Sequence, residues 1–304
     1  MAEAITTLDY YDVFEAALSS LASVFDDHRR HFGVPRTPVP DGYCWFKGIT
    51  AADRHRDFVE WLVAAGDELE DRVLEAMPRR RPRSMLDVGC GNGQLLRRLA
   101  REQPSLRLVG INSHATQVRT ARRLLAGSHA EVIEADFFEH PFTERFDVAY
   151  MIESAFHMPD KVALCRRLGE VLTPGGEVWM IDIVVAERAA ELFQSVGRDA
   201  LFNFIPRKEW RARFAAAGFE ELEVCDLSQG AASVLTISDI AQLERDYFRP
   251  GLATALATEA SPAPARLEAA VRMMVRIAHE YRRLSRLLRG GMLQYVLMRY
   301  AKNI

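Results

Sequence analysis

The sequence predicts an α/β protein built on a mostly parallel sheet with helices on both faces, extended by helical segments outside that core. Three observations carry this expectation. From Ser84 onward, short apolar runs alternate with stretches of helical period, the pattern of βαβ units, which cross over right-handed and build a parallel sheet. The first apolar run, in SMLDVGCGNG, opens directly into a glycine turn and a helix. Residues 1–80 and roughly 230–289 lack that alternation and read as helical, so the 304-residue chain divides into an N-terminal helical lid over 1–80 and a core over 81–304 carrying an insertion.

The elements follow in order. Between Asp9 and Phe25 apolar residues recur three or four apart, which predicts an amphipathic helix. PRTPVPDGYCWFKGIT then breaks regular structure around Tyr43, Trp45 and Phe46, and a second helix is expected over 51–77. Strands are predicted in SMLDV, RLVGIN, AEVIEAD, FDVAYMIES, EVWMIDIVV and FEELEVCDLS, with helices after the first two, over 160–172, and in PRKEWRARFAAAGF. The turn Pro174-Gly175-Gly176 precedes the fifth strand. Past the sixth come a helical stretch near 238–248, the linker ATEASPAPAR and a long basic helix over 267–289. MLQYVLMRY supplies a seventh strand.

The glycine turn carries the first chemical signal. Glycines between a strand and a helix let the backbone approach a ligand at an electropositive helix N-terminus. A dinucleotide fingerprint would read G-x-G-x-x-G with an acid about 20 residues on. This chain instead has Gly89, Gly91 and Gly93, with Asp87 two residues before the first. That pattern resembles motif I of class I S-adenosylmethionine methyltransferases, and the ends of the next strands, VGIN, EADFFEHPF and MIESAFHMPDK, fall where that family places its other motifs. The run E-S-x-x-H-M-P-D-K and the closing Gln294-Tyr295-Val296-Leu297 are most similar to the small-molecule branch containing tocopherol, sterol, sugar and geranyl diphosphate methyltransferases.

The resemblance implies a Rossmann-like seven-stranded sheet and S-adenosylmethionine as cofactor, leaving as S-adenosylhomocysteine. It places Gly89, Cys90, Gly91 and Gly93 along the methionine part and Asp87 at its amino group. Asn112 and Gln117 fall at the ribose hydroxyls, Asp136 at the adenine amino group and Phe137 beside the ring. Asn112 stands where many relatives carry an acid, and its amide oxygen accepts the same bonds. His157 falls just past strand four as the candidate general base, with Glu153 orienting it or holding the cofactor's amino end. Phe156 stands where some relatives have a second histidine.

Aromatic residues suggest the acceptor side. Tyr10, Tyr11 and Phe14 in the first helix, Tyr43 and Trp45 in the loop, and Phe202 beyond strand five are the candidate substrate-binding residues, with Phe204, Trp210 and Tyr247 as further apolar wall. Such rings attract cations at about 1–2 kcal/mol when desolvated, enough to favour a sulfonium or a carbocation. With the single histidine and the branch resemblance, this leans toward carbon methylation of a prenyl or terpenoid alkene among hydrophobic secondary metabolites. The alternatives are O-methylation of a natural-product hydroxyl and a non-catalytic cofactor-binding protein.

Composition narrows the partners. Hydrophobic residues at 49% and charged ones at 27% suit a globular protein, and the net charge of -3 gives no global field for nucleic acid or an anionic membrane. No apolar run of about 20 residues or basic leader is seen. Four scattered cysteines without C-x-x-C spacing argue against a disulfide framework or a structural metal, and make a reducing cytoplasm the expectation. No metal is expected at the site. Residues 266–304 hold nine Lys or Arg against two Glu, read as a solvated helix face or one meeting an acidic patch on another subunit. The first helix is long enough to pack across a second copy, so a homo-oligomer with exchanged N-terminal helices is expected.

Overall fold

The computed structural model describes residues 33–76, 81–192, 203–256 and 264–304. Helices α1 (Trp45–Thr50) and α2 (Arg56–Ala76) lead into strand β1 (Ser84–Val88), α3 (Gln94–Glu102), β2 (Arg107–Asn112), α4 (Ala115–Leu124), β3 (Glu131–Glu134) and β4 (Phe146–Ile152). A 3-10 turn (Ala155–His157), α5 (Lys161–Val171), β5 (Leu172–Val185), α6 (Arg207–Ala216) and β6 (Phe219–Asp226) follow. Then come α7 (Ser228–Val234), α8 (Ile240–Leu243), a π-helical turn (Glu244–Phe248), α9 (Arg249–Leu256), α10 (Pro264–Arg289) and β7 (Leu293–Lys302). The helix expected over 9–25 lies outside the described residues.

The seven strands form one sheet in the order β3-β2-β1-β4-β5-β7-β6. β1 pairs in parallel with β2 and β4, placing Asp87 between Gly110 and Tyr150. Only β7 runs against its neighbours, β5 and β6. The Rossmann-like, mostly parallel sheet is therefore the one predicted. β1, β2 and β4 read as continuous apolar runs because helices cover both faces, and Leu86, Val88, Ile111, Ala149 and Met151 are buried among them. β6 is an edge strand and alternates instead, with Glu220 and Glu223 exposed, charges that discourage pairing with a further strand. The expected Pro174-Gly175-Gly176 turn lies inside β5, where Gly175 adopts φ 67° and the register against β4 shifts.

The chain divides into two compact units. One contains the sheet, the described part of residues 70–228 with 291–304. Its core closes with α6, where Trp210 and Phe214 are buried and Phe214 stacks on Tyr300 at 4.0 Å. Arg299, only 8% exposed, crosses three strands by donating to Glu177 at 2.8 Å and Glu223 at 2.9 Å, its cation 5.6 Å from the Trp179 ring. Arg98 on α3 binds Asp71 and, at 2.9 Å, Glu102.

The other unit gathers residues 33–69 and the described part of 229–290. Its centre is aromatic: Phe46 meets Phe248 edge-on at 5.1 Å and Trp45 lies 5.0 Å from Tyr281. In α10 the buried Val271, Met274, Ala278, Tyr281, Leu284 and Leu288 recur at three- and four-residue steps, while Arg272, Arg276, Arg283 and Arg286 face solvent. Among the described residues no helix is long and apolar enough to cross a membrane.

One position tests the packing of β2 on α3. A Cβ at Gly110 would stand 2.5 Å from Leu96 Cδ1 and 2.9 Å from Cys90 Cβ. Gly110→Ala should cost about 1–3 kcal/mol in chemical denaturation, and unchanged stability would refute this packing.

Candidate active site

The expected cofactor residues converge at the carboxyl ends of β1 to β4, neighbouring strands of the sheet-containing unit. Here the strand order reverses between β1 and β4, which is where open α/β sheets form their ligand crevice. Three of the five residues from Gly89 to Gly93 are glycines at positive φ, 81°, 53° and 76°. A Cβ on Gly89 would fall 2.5 Å from Ser154 Cβ, and one on Gly93 3.0 Å from Ala121 Cβ. Gly91 differs: around its Cβ direction nothing lies within 4 Å, so its backbone faces open space. The turn is anchored behind by Gly89 and Cys90 N–H donating to the Ile111 carbonyl at 2.9 and 3.2 Å. A left-handed backbone with open space at its middle glycine and an α-helix N-terminus following it is a cradle that fits an extended polar ligand.

The remaining cofactor candidates divide into braces and surface groups. Asp87 is buried beside Tyr150, whose phenol is pushed well above its ordinary range by burial and then by the Asp87 charge. Burial, with Asp87 second, likewise raises the Cys90 thiol, so that side chain stays neutral and contributes packing. Asn112 donates to Gln117 Oε1 at 2.9 Å and to the Gly91 carbonyl at 3.4 Å, and its Oδ1 accepts the His114 N–H at 3.3 Å. It thus ties the ends of β1 and β2 together. Gln117 is buried in the first turn of α4, whose N-cap is His114. Asp136 is exposed just after β3 and accepts the Phe138 N–H at 2.7 Å. Phe137, expected beside an adenine ring, packs in the hydrophobic core with the Arg167 guanidinium 5.9 Å from its ring. Arg167 Nε on α5 also donates to the Phe137 carbonyl at 3.3 Å.

Past β4 the chain turns sharply. Among the described residues Glu153 is the single non-glycine at positive φ, 51°, a conformation costing about 1–3 kcal/mol that persists only when its surroundings dictate it. Its N–H donates to Ile181 at 2.9 Å, and Oε1 accepts the Tyr295 hydroxyl at 2.7 Å. Burial, then Glu153, raises the Tyr295 phenol well above its usual range, so it remains a donor. Ser154 follows with its hydroxyl on the Val88 carbonyl at 2.6 Å. His157 ends the 3-10 turn half-buried, its ring 4.2 Å from that of Phe156. Phe156 in turn meets Phe204 edge-on at 5.5 Å, an apolar flank.

The aromatic acceptor candidates fare differently. Tyr43 and Trp45, expected to wall a substrate, are buried packing residues of the other unit. Tyr43 donates to the Val234 carbonyl at 3.0 Å between Phe58 and Trp61, and the Trp45 N–H donates to Thr236 at 3.0 Å. Tyr247 in that unit is bonded to His55 at 2.9 Å, and Trp210 is core. Tyr10, Tyr11, Phe14 and Phe202 lie outside the described residues. Sequence reasoning missed Asp182, gave no role to Ser154 and Lys161 although both lie in the E-S-x-x-H-M-P-D-K run, and read Tyr295 only as part of the closing strand. The lone acid in the apolar run VWMIDIVV was the available signal.

Comparison with known proteins places this geometry. Residues 85–176 match the family model described as Methyltransferase domain. The 27-O-demethylrifamycin SV methyltransferase of Amycolatopsis mediterranei is 32% identical over 179 residues, 55% of this chain and 65% of that protein. The chain thus spans just under two thirds of the length of this relative. Among solved structures, the StiE O-MT (residues 961–1257) superposes with a TM-score of 0.69 at 22% identity, covering 91% of this chain and 87% of that one. Geranyl diphosphate C-methyltransferase from Streptomyces coelicolor A3(2), in complex with Mg2+, geranyl diphosphate and S-adenosyl-L-homocysteine, superposes over the full length of both chains with a TM-score of 0.64 at 16% identity. Residues 85–176, which hold the glycine turn and the segments that follow β2, β3 and β4, are thus similar to a methyltransferase domain.

Proposed function

We propose that this protein transfers the methyl group of S-adenosylmethionine to a small hydrophobic secondary metabolite. The observation that carries the reading is Gly91, a left-handed residue with open space around its Cβ direction in the turn between β1 and α3. When bound, the cofactor supplies a methyl activated by a sulfonium. The backbone of Gly89–Gly93 would hold its methionine part, with Asp87 at the amino group, Asn112 and Gln117 at the ribose and Asp136 at the adenine end. The protein's own work is then to orient the reactants, exclude water and remove a proton where the acceptor carries one.

His157 is the group for that proton. It is half-buried beside the apolar Phe156, and imidazole is the side chain whose ordinary pKa suits a base near neutrality. O-methylation of a neutral hydroxyl needs the base as the new bond forms, and the similarity to the rifamycin methyltransferase supports this side. Carbon methylation of an alkene needs it afterwards, on the cation, and the full-length likeness to the geranyl diphosphate enzyme favours that second reading. Among the described residues no cluster of three His, Cys, Asp or Glu is arranged to hold a metal ion.

Two experiments test the reading. Gly91→Ala should weaken S-adenosylhomocysteine at least about tenfold by calorimetry. Gly127→Ala, at φ 81° and equally open, imposes comparable backbone strain away from the strand ends and should leave affinity unchanged. Equal affinity in both variants would remove the glycine turn from the site. In a radiolabel-transfer assay against a panel of macrolactone alcohols and geranyl diphosphate, His157→Ala should slow turnover by about 100-fold or more without changing S-adenosylhomocysteine affinity. NMR of the product assigns carbon or oxygen, and an undiminished rate would exclude His157 as the base.

A further inference from the structure

The turn that carries His157 is too short to orient itself. It spans Ala155–His157 and closes with His157 N–H on the Ser154 carbonyl at 3.2 Å and Met158 N–H on Ala155 at 3.1 Å. Its other backbone groups are held from outside by two buried charges. The Phe156 N–H donates to Asp182 Oδ2 at 3.1 Å, while Asp182 Oδ1 accepts its neighbour's Ile183 N–H at 2.7 Å. Lys161 Nζ donates to the Ala155 carbonyl at 2.6 Å and to the Met158 carbonyl at 2.5 Å. Asn203 adds a neutral hold, N–H to the Phe156 carbonyl and Nδ2 to the Pro159 carbonyl, both at 2.9 Å.

Asp182 is 1% and Lys161 3% exposed. Removing such charges from water is costly, and an apolar pair would fill the space more cheaply. What the charges supply is direction: a carboxylate takes the turn's N–H and an ammonium takes carbonyls on either side of His157.

We propose that Asp182 and Lys161 are positioning residues that fix residues 155–158 and thereby aim His157 at the acceptor. The proposal rests on the reading of His157 as the acceptor-side base. The groups around Asp182 are Lys161 from α5, Glu153 at the end of β4 and Tyr295 from β7. Lys161 favours its ionised form, as do its two backbone N–H donors, and Glu153 opposes it. Burial outweighs them and pushes its carboxyl up to about 7.

The test uses the full chain, with S-adenosylhomocysteine as the binding probe. As pH rises through about 7, the Asp182 carboxylate forms and strengthens its charge-assisted bonds, so the Phe156 amide proton should move downfield in a 15N-phenylalanine spectrum. Asp182→Asn should abolish that step. Lys161→Met should speed amide exchange at Phe156, His157 and Met158 by about tenfold or more, with β4 amides and S-adenosylhomocysteine affinity within about twofold of the wild type. No pH step at Phe156 in the wild-type protein overturns the proposal without any variant. So does exchange in Lys161→Met that is unchanged in the turn or raised equally in β4. An undiminished rate in His157→Ala would instead end the base reading while leaving the turn result standing, so the two failures are distinguishable.

Discussion

The absence of a side chain at Gly89 is the constraint on which the carboxyl edge of the sheet depends. Ser154 Cβ occupies the place a Cβ on Gly89 would take, and the Ser154 hydroxyl reaches the Val88 carbonyl. The end of β4 is thereby pressed onto the end of β1. For the chain to reach Ser154 from Ile152, Glu153 adopts its left-handed conformation, held by Ile181 on one side and Tyr295 on the other. The short turn with His157 follows at once. One steric fact thus links the cofactor cradle to the segment proposed to act on the acceptor.

Charge is distributed along this edge with similar economy. Asp87, Glu153 and Asp182 stand at or near the ends of three adjacent strands, each against a group that shapes its use. Asp87 lies beside a phenol and a thiol that burial keeps neutral. Glu153 receives a hydroxyl that burial keeps protonated. Asp182, deepest of the three, accepts backbone N–H groups and feels Lys161. Burial thus keeps the Tyr150 and Tyr295 phenols and the Cys90 thiol protonated near neutral pH, whereas Asp182, its carboxyl pushed up to about 7, is the group along this edge that changes charge there.

Much of this was legible in the sequence. The alternation of apolar runs with helical periods fixed the strand sequence, because parallel strands covered on both faces have to be apolar throughout. The spacing of Gly89, Gly91 and Gly93 after Asp87 marked a turn whose backbone, at positive φ, is one side chains resist. The clamp on the His157 turn was not legible, because Asp182 and Lys161 lie 21 residues apart on different elements and meet only through the backbone of a third segment. Tyr43 and Trp45 are buried in the second unit, and an aromatic cluster has the same sequence pattern whether it lines a pocket or fills a core. The gathering of residues 33–69 with the described part of 229–290 into one unit likewise depends on contacts of long sequence separation, such as Phe46 with Phe248.

The central claim is that the ends of β1, β2 and β4 form an S-adenosylmethionine site built on the Gly89–Gly93 backbone. A crystal structure of the protein grown with S-adenosylhomocysteine tests it most directly. The account predicts the ligand's methionine part against Gly91, its ribose near Asn112 and its adenine near Asp136. Ligand density elsewhere on the chain, with the glycine turn left uncontacted, would contradict it.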